Sequence, residues 1–121
     1  MLNRMKDPSL DPRPHLPLRP VAFAVLAALA PRPRPGIEIL DDVNRTAAGH
    51  RLLGPGTLYR LMRELRQEGL IARSPAPKTV QDERQTYHAL TRLGEAVLAA
   101  EIARLQRTLA LAAGVTSPTP R

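Results

Sequence analysis

Apolar residues recur at helical spacing most clearly between Pro55 and Gly69. Pro55 suits the first helical position, because its ring presets φ and its missing N–H would have no partner there. Gly69 suits the residue that follows a helix, where a left-handed conformation is common. The pattern predicts a helix over residues 55–68 with an apolar back and a basic front. The apolar positions follow i, i+3, i+4, i+7 and are Leu58, Leu61, Met62 and Leu65.

Two further helices are predicted before this one. The apolar run from Val21 to Ala30 follows Pro20 and is ended by a Pro-rich segment, so it predicts a buried helix. A second helix is predicted from Gly36 to Ala48, with an apolar stripe and a polar face. The inward positions are expected to be Phe23, Leu26 and Leu29 or Ala30 in the first helix and Ile37, Leu40 and Val43 in the second, with Asp41, Asp42 and Arg45 in solvent.

Two short extended segments follow the 55–68 helix. They cover Leu70–Ser74 and Thr86–Leu90 and are separated by prolines and a charged run. This pattern predicts a β-hairpin with a long tip.

A last helix is predicted from Thr91, whose hydroxyl can cap it, to about Ala113. Leu93 and Val97 are expected to pack on the domain's own core. Beyond them the apolar spacing becomes 4, 3, 4, 3, a heptad seam that so small a domain cannot bury alone. A two-fold dimer is therefore predicted, in which this helix packs against the first helix of the partner. The expected interface residues are Leu98, Ile102, Leu105 and Leu109, and Ala112 continues the spacing.

The order of these elements is typical of a winged helix-turn-helix domain with an added dimerisation helix. The expected fold class is mainly α with a small β-hairpin. The predicted organisation is a flexible, basic, Pro-rich arm at 1–17, a winged helix-turn-helix DNA-binding domain at 18–92, a dimerisation helix at 93–113 and a disordered tail at 114–121.

Charge narrows the class of partner. The 121 residues carry a net charge of +7, which favours an anionic partner. Residues 1–35 have a net charge of +4 and residues 57–92 of +3, so the basic groups lie in the arm and around the 55–68 helix. Arginine supplies 16 of the 18 basic residues, which suits bidentate contacts to phosphate and guanine but is equally expected of a GC-rich genome.

Other classes of function find little support. The chain has no cysteine and its three histidines lie in unrelated segments, so we expect no enzyme, no metal and no cofactor. The longest apolar run is too short to cross a bilayer, and the basic arm lacks the amphipathic helix that membrane-surface binding needs. The arm also lacks the features of a signal peptide. A winged-helix module that binds protein instead of DNA remains the main alternative.

Three stretches resemble the PadR-like transcriptional regulators. Residues 18–29, beginning Leu-Arg-Pro-Val-Ala-Phe, are similar to the family's first helix. Residues 53–59, Leu-Gly-Pro-Gly-Thr-Leu-Tyr, and 68–71, Glu-Gly-Leu-Ile, are similar to its recognition helix. Residues 82–94 resemble its second wing strand and the start of the following helix. The chain departs from the family at 35–37, where His-Gly-Tyr is common, and at His88, where a second tyrosine is common.

The resemblance implies a cytoplasmic, homodimeric repressor that binds double-stranded DNA and carries a single C-terminal helix. It also implies a small-molecule effector site at the dimer interface, between the first and last helices. Only three aromatic residues are present, and none lies on the last helix. Any such cavity is therefore expected to be aliphatic, or absent.

The candidate DNA-binding residues lie on the 55–68 helix and beside the hairpin tip. Arg63 and Gln67 point straight out from the apolar back, and the free N–H groups of residues 56–58 are expected to hold phosphate. Tyr59 either contacts a phosphate or sugar or is a partly exposed packing residue, and the cations are either DNA contacts or a solvated face. The histidine at 88 is expected to be half-buried and hydrogen-bonded. The full set is Gly56, Thr57, Tyr59, Arg60, Arg63, Gln67, Lys78 and Arg84.

Overall fold

The computed structural model describes residues 10–46, 53–78 and 85–116, with side chains described as far as residue 113. All four predicted helices and both predicted strands are present. The helices are α1 (Pro20–Leu29), α2 (Gly36–Arg45), α3 (Pro55–Gln67) and α4 (Arg92–Thr116); the strands are β1 (Arg34–Pro35), β2 (Ile71–Ser74) and β3 (Tyr87–Leu90), and a 3₁₀ turn covers Arg13–His15.

The three strands form one antiparallel sheet in the order β1-β3-β2. The strand β1 was not predicted, because it is only two residues long and contains Pro35. Proline cannot donate to a strand ladder, so it is tolerated at a sheet edge, which is where β1 lies. His88 of the central strand β3 has Arg34 of β1 on one side and Arg73 of β2 on the other.

One apolar core joins all four helices to the sheet. The predicted back of α3 is confirmed, since its four apolar side chains are at most 7% exposed. In α1, the predicted Leu26 and Leu29 are buried, Phe23 is half-buried and Ala30 is exposed. The largest side chains with less than 2% exposure include Leu26, Ile39, Leu58, Met62, Leu65, Leu70, Ile71, Val25 and Val97.

The predicted stripe of α2 was wrong at Ile37, which is 62% exposed, whereas Ile39 is fully buried. The helix starts directly from β1, and its first residue, Gly36, lies against one edge of the ring of Tyr59. A Cβ atom at Gly36 would lie 2.7 Å from Cε1 of Tyr59. Gly36, Ile39 and Val43 form the buried side of the helix, and Ile37 lies outside it. The predicted end of the helix, at Ala48, lies outside the described residues.

Contacts before and after α3 fix its position in the fold. The side chain of Asn44 accepts from the N–H of Leu53 at 2.7 Å and donates to its carbonyl at 2.9 Å, which joins α2 to the approach to α3. At the other end, Gly69 has a φ of 80°, as its predicted left-handed role requires. Thr91 caps α4 as predicted, because its Oγ1 accepts from the N–H of Gly94 at 2.9 Å and donates to the carbonyl of Gly69 at 2.5 Å.

The residues just before α1 are part of the structure, so the expectation of a free arm to residue 17 was wrong for its described part. Leu16 and Leu18 pack against the core. The N–H of Leu18 donates to Oε2 of Glu101, a carboxylate that is 1% exposed and also accepts two hydrogen bonds from Arg104. The prolines and charges of this segment suggested disorder, and Leu16 was not recognised as a core contact, whereas Leu18 already belonged to the predicted domain.

The apolar side chains of α4 become more exposed towards the C-terminal end of the helix. Val97 is fully buried, as predicted, but Leu98 is only 6% exposed and belongs to the chain's own core. The expectation that Leu98 is exposed on the seam was wrong. Ile102 is 39% exposed and Leu109 68% exposed, with Leu105 half-buried between them. The helix continues to Thr116, so residues 114–116 are helical rather than part of a disordered tail.

Within the described ranges, none of the helices combines the length and the apolar character of a membrane span.

Candidate nucleic-acid interface

The outward face of α3 is exposed and basic. Tyr59 is 48% exposed, and Thr57, Arg60, Arg63 and Gln67 are exposed as well. None of these arginines forms an ion pair with a residue that the structure describes. The helix is therefore held by its apolar back and leaves its polar front open to a partner.

The N-terminus of α3 is also open. Gly54 occupies the N-cap position and supplies no side-chain hydrogen bond to the first turn. Its carbonyl accepts from the N–H of Leu58 at 3.1 Å, so the expectation of a free N–H at Leu58 was wrong. Gly56 and Thr57 are exposed, and N–H groups at such a position attract anions.

Tyr59 combines the two roles that the sequence left open. One edge of its ring lies against Gly36, close enough to exclude a side chain there. Almost half of its surface remains exposed on the front of α3. The packing contact positions the ring, and the exposed part is available to a ligand.

A cleft of about 490 Å³ separates the front of α3 from the sheet. Arg63 and Arg66 line it from α3, and Arg73 lines it from β2. Of these three arginines, only Arg63 was predicted from the sequence to contact DNA. The other two contribute to the local charge of +3, but their convergence with Arg63 depends on how β2 packs beside α3. The remaining lining residues are Pro35, Gly36, Ile37, Tyr59, Met62, Gln85, Thr86 and His88.

His88 lies in the wall of this cleft and differs from the expectation of a half-buried, hydrogen-bonded histidine. It is 6% exposed, and its Nδ1 is buried with no hydrogen-bond partner among the described residues. Burial lowers the pKa of His88, and the nearby positive charges of Arg66 and Arg73 lower it further. The ring is therefore neutral near pH 7, and the positive charge of the cleft comes from its arginines.

The predicted wing contacts are only partly described. Lys78 is exposed at the end of the described part of the loop after β2. Arg84 lies outside the described residues.

Other arginines are occupied inside the fold. Arg34, which is 14% exposed, donates to the carbonyl of Ala28 at 3.0 Å and forms ion pairs with Asp42 and Glu38. The hydrogen bond from Arg34 is the main reason that the pKa of Asp42 is lowered. This cluster ties the end of α1 to β1 and α2, so Arg34 positions the edge of the sheet instead of facing a partner.

A second exposed surface is apolar and lies on α4 and α1. Ile102 and Leu109 are exposed on one side of α4. Leu111, which was not predicted as an exposed apolar residue, is 87% exposed on the other side, about 200° around the helix from Leu109. On α1, Val21 is 38% exposed. A shallow cavity of about 500 Å³ between α1 and α2 is lined mainly by Pro20, Phe23, Ala24, Ala27 and Ala28, with Asp42, Arg45 and Thr46 at its edge.

The three-helix unit, the three-stranded sheet and the open basic front of α3 define a DNA-binding winged helix-turn-helix protein. A model of the transcriptional regulator PadR-like family matches residues 25–100, and the chain belongs to that family. Its members are transcriptional regulators and not enzymes. A sequence search of curated proteins finds no match.

Solved structures support the same fold. A PadR family regulator from Clostridium difficile is 17% identical, with a TM-score of 0.65 over 78% of this chain and 96% of that one. A PadR-like regulator from Bacillus cereus is 16% identical, with a TM-score of 0.68 over 82% and 93% of the two chains. A transcriptional regulator from Clostridium thermocellum is 19% identical, with a TM-score of 0.62 over 87% and 93%. At these identities the likeness shows the fold alone.

Proposed function

We propose that this protein is a homodimeric, cytoplasmic transcriptional repressor that binds an inverted repeat in double-stranded DNA with α3 in the major groove. The observation that carries the proposal is the division of α3 into two faces. Its apolar back is almost completely buried, while its basic front is exposed and its arginines are unpaired among the described residues. A rigidly held helix of this kind suits insertion into the groove.

Base recognition is assigned to the middle of the helix front. Arg63 projects from the centre of that face, and a guanidinium there can donate two hydrogen bonds to the O6 and N7 atoms of guanine. Gln67 lies one turn further along and is the second candidate for a base edge. Arg60 lies beside Arg63 and contacts the backbone or an adjacent base.

Phosphate contacts are assigned to the start of the helix and to the wing. Gly56 and Thr57 are exposed at the N-terminus of α3, where an anion is favoured. The exposed part of Tyr59 on the front of the helix is assigned to a further phosphate. Lys78 and, from its place in the sequence, Arg84 are assigned to the phosphates beside the wing. These contacts set the register of the protein on DNA, and they carry no base preference.

Dimerisation is assigned to the exposed apolar positions of α4. Ile102, Leu105 and Leu109 pack against the α1 surface of a second copy, with Leu98 supporting them from within the core. A two-fold dimer would place two copies of α3 about 34 Å apart, one helical turn of DNA. An effector would occupy the aliphatic space between α1 and α4 of the two copies.

Selection of bound duplexes from a random pool tests this function. The expected result is enrichment of an inverted repeat whose half-sites are centred about 10 base pairs apart. The selected duplex should bind at least about 10³-fold more tightly than a scrambled duplex at physiological salt. A pool that shows no enrichment, with equal affinity for both duplexes, would favour a protein-binding module over a sequence-specific regulator.

A further inference from the structure

The arginines of the cleft between α3 and the sheet have no counterion among the residues that the structure describes. Arg63, Arg66 and Arg73 come from two elements and converge on one space of about 490 Å³. The described residues that line it include no acidic side chain. In the described part of the chain, none of the three forms an ion pair, whereas Arg19, Arg34, Arg45 and Arg104 each do.

The buried histidine contributes to the wall of the same cleft. His88 is 94% buried, and its Nδ1 has no partner among the described residues and is itself shielded from solvent. Its neighbours Arg66 and Arg73 bring positive charge to the same wall. An anion between these two arginines would offset that charge.

The shape of the cleft indicates what kind of anion it takes. Its volume lies in the range of sites for small organic ligands. The arginines can each offer two parallel N–H donors, the geometry that matches a phosphate group. Met62 and the ring of Tyr59 provide an apolar wall, and Gln85 and Thr86 provide polar groups at the sheet end.

We propose that this cleft is a phosphate-binding subsite in which Arg66 and Arg73 hold a phosphate group between α3 and β2. The group belongs either to the backbone of bound DNA or to a small phosphorylated compound that competes with DNA for the same cleft. The second source would make the subsite a point of regulation. The competition with DNA rests on the proposed function. The binding of free phosphate to the cleft can be tested without it.

The test is titration of the full chain with inorganic pyrophosphate at constant ionic strength, followed by calorimetry and by the NMR signals of the arginine side chains. The cleft variant is the double substitution Arg66→Gln and Arg73→Gln. The matched control is Arg92→Gln with Arg107→Gln, since both residues are exposed on α4. Pyrophosphate should bind the native protein and the control within about twofold of each other, and the cleft variant at least about tenfold more weakly.

The affinity of the cleft variant for the selected duplex then distinguishes the sources. Weaker DNA binding by the cleft variant than by the control identifies a backbone phosphate as the occupant. Unchanged DNA affinity, with displacement of pyrophosphate by DNA, identifies a small competing compound, and simultaneous binding of DNA and pyrophosphate overturns both. Equal pyrophosphate affinity in the native, cleft and control proteins, or no saturable binding to any, overturns the proposal. If the double variant does not fold, the ring protons of His88 in the native protein decide: a saturable shift with pyrophosphate supports the subsite, and no shift overturns it. Absence of DNA binding by the native protein would count against the proposed function and leave the pyrophosphate result intact.

Discussion

Some arginines of this protein form ion pairs that stabilise the fold, whereas others lie exposed on the proposed DNA-binding face. Arg34 and Arg104 lie against carboxylates that belong to the fold. Arg34 joins the end of α1 to α2, and Arg104 pairs with Glu101 of its own helix, a carboxylate that also accepts from the N–H of Leu18. Arg63 and Arg73 lie on the open side of α3 and β2 with no ion pair among the described residues. The net charge counts both kinds equally. Only the position of the carboxylates reveals which cations are free to bind a partner.

The apolar residues of α4 show the same division. Val97 and Leu98 are buried by the chain's own core, whereas Leu109 is exposed at the far end of the same heptad spacing. The spacing of apolar residues continues along α4 beyond the part of the helix that packs on the chain's own core. Side chains beyond that point are therefore available to a second copy.

The largest expected effect is on assembly. Replacing Leu105 and Leu109 with glutamate places two charges on the seam, so the dimer should dissociate completely into monomer or unfold. The matched control is Arg107→Glu with Leu111→Glu, because each site is moved two residues, or about 200°, around the helix. Sedimentation should show dimer for the control and monomer for the seam variant. An intact dimer of the seam variant would refute this interface.

The next effect concerns the paired arginines. Arg34→Ala removes a largely buried cation and leaves Asp42 and the carbonyl of Ala28 without their partner, so it should lower the free energy of unfolding by about 3 kcal/mol. Arg73→Ala should leave the unfolding midpoint unchanged within error. Urea denaturation at one protein concentration provides the comparison. Equal losses from the two substitutions would show that the proposed division between arginines is false.

A smaller loss is expected at the anchor of the N-terminal segment. Glu101→Gln keeps an acceptor for the N–H of Leu18 but removes the charge that faces Arg104, so it should cost about 1–2 kcal/mol. The control is Glu95→Gln, at an exposed position on the same helix. Limited proteolysis should then cut before α1 faster in the Glu101 variant. An unchanged cleavage rate would show that this carboxylate does not hold the segment.

The smallest effect is a pH dependence from His88. Its folded pKa lies below the ordinary value of 6.5, so the unfolded chain binds the extra proton more readily as the pH falls. Stability should be fully present above 6.5 and decline as the pH falls through the lowered pKa. The pKa values of Asp42 and Glu101 are also lowered, from 3.8 and 4.5, so their losses come at more acid pH.

Thermal unfolding between pH 7 and pH 5 isolates the histidine. His88→Gln should flatten the decline in this window, while His15→Gln serves as the control. A native protein whose melting temperature is constant over the window would contradict a neutral, buried His88.

The sequence predicted the parts of this molecule that depend on local spacing and failed where distant segments meet. The back of α3, the left-handed Gly69 and the cap at Thr91 follow from short patterns and are confirmed. The burial of Ile39 instead of Ile37 in α2 depends on how this helix packs against the rest of the chain, where Gly36 lies against Tyr59.

For the same reason, the residues of the proposed DNA-binding face could be predicted only in part. Arg63 could be predicted because it lies on the front of one amphipathic helix. Arg73 and His88 could not be placed beside it, because they come from β2 and β3 and reach the cleft only through the packing of the sheet. The DNA-contacting residues themselves stay predictions.

The most direct test of the account is the binding of Arg63→Ala to the selected duplex and to a scrambled duplex over a series of salt concentrations. The substitution should cost about 1–3 kcal/mol on the selected duplex and relax the preference at one base pair in each half-site. Tyr59→Phe should weaken both duplexes about equally, as a backbone contact would. If Arg63→Ala lowers the affinity for both duplexes by the same factor, then Arg63 is only a phosphate contact and α3 does not read the base as proposed.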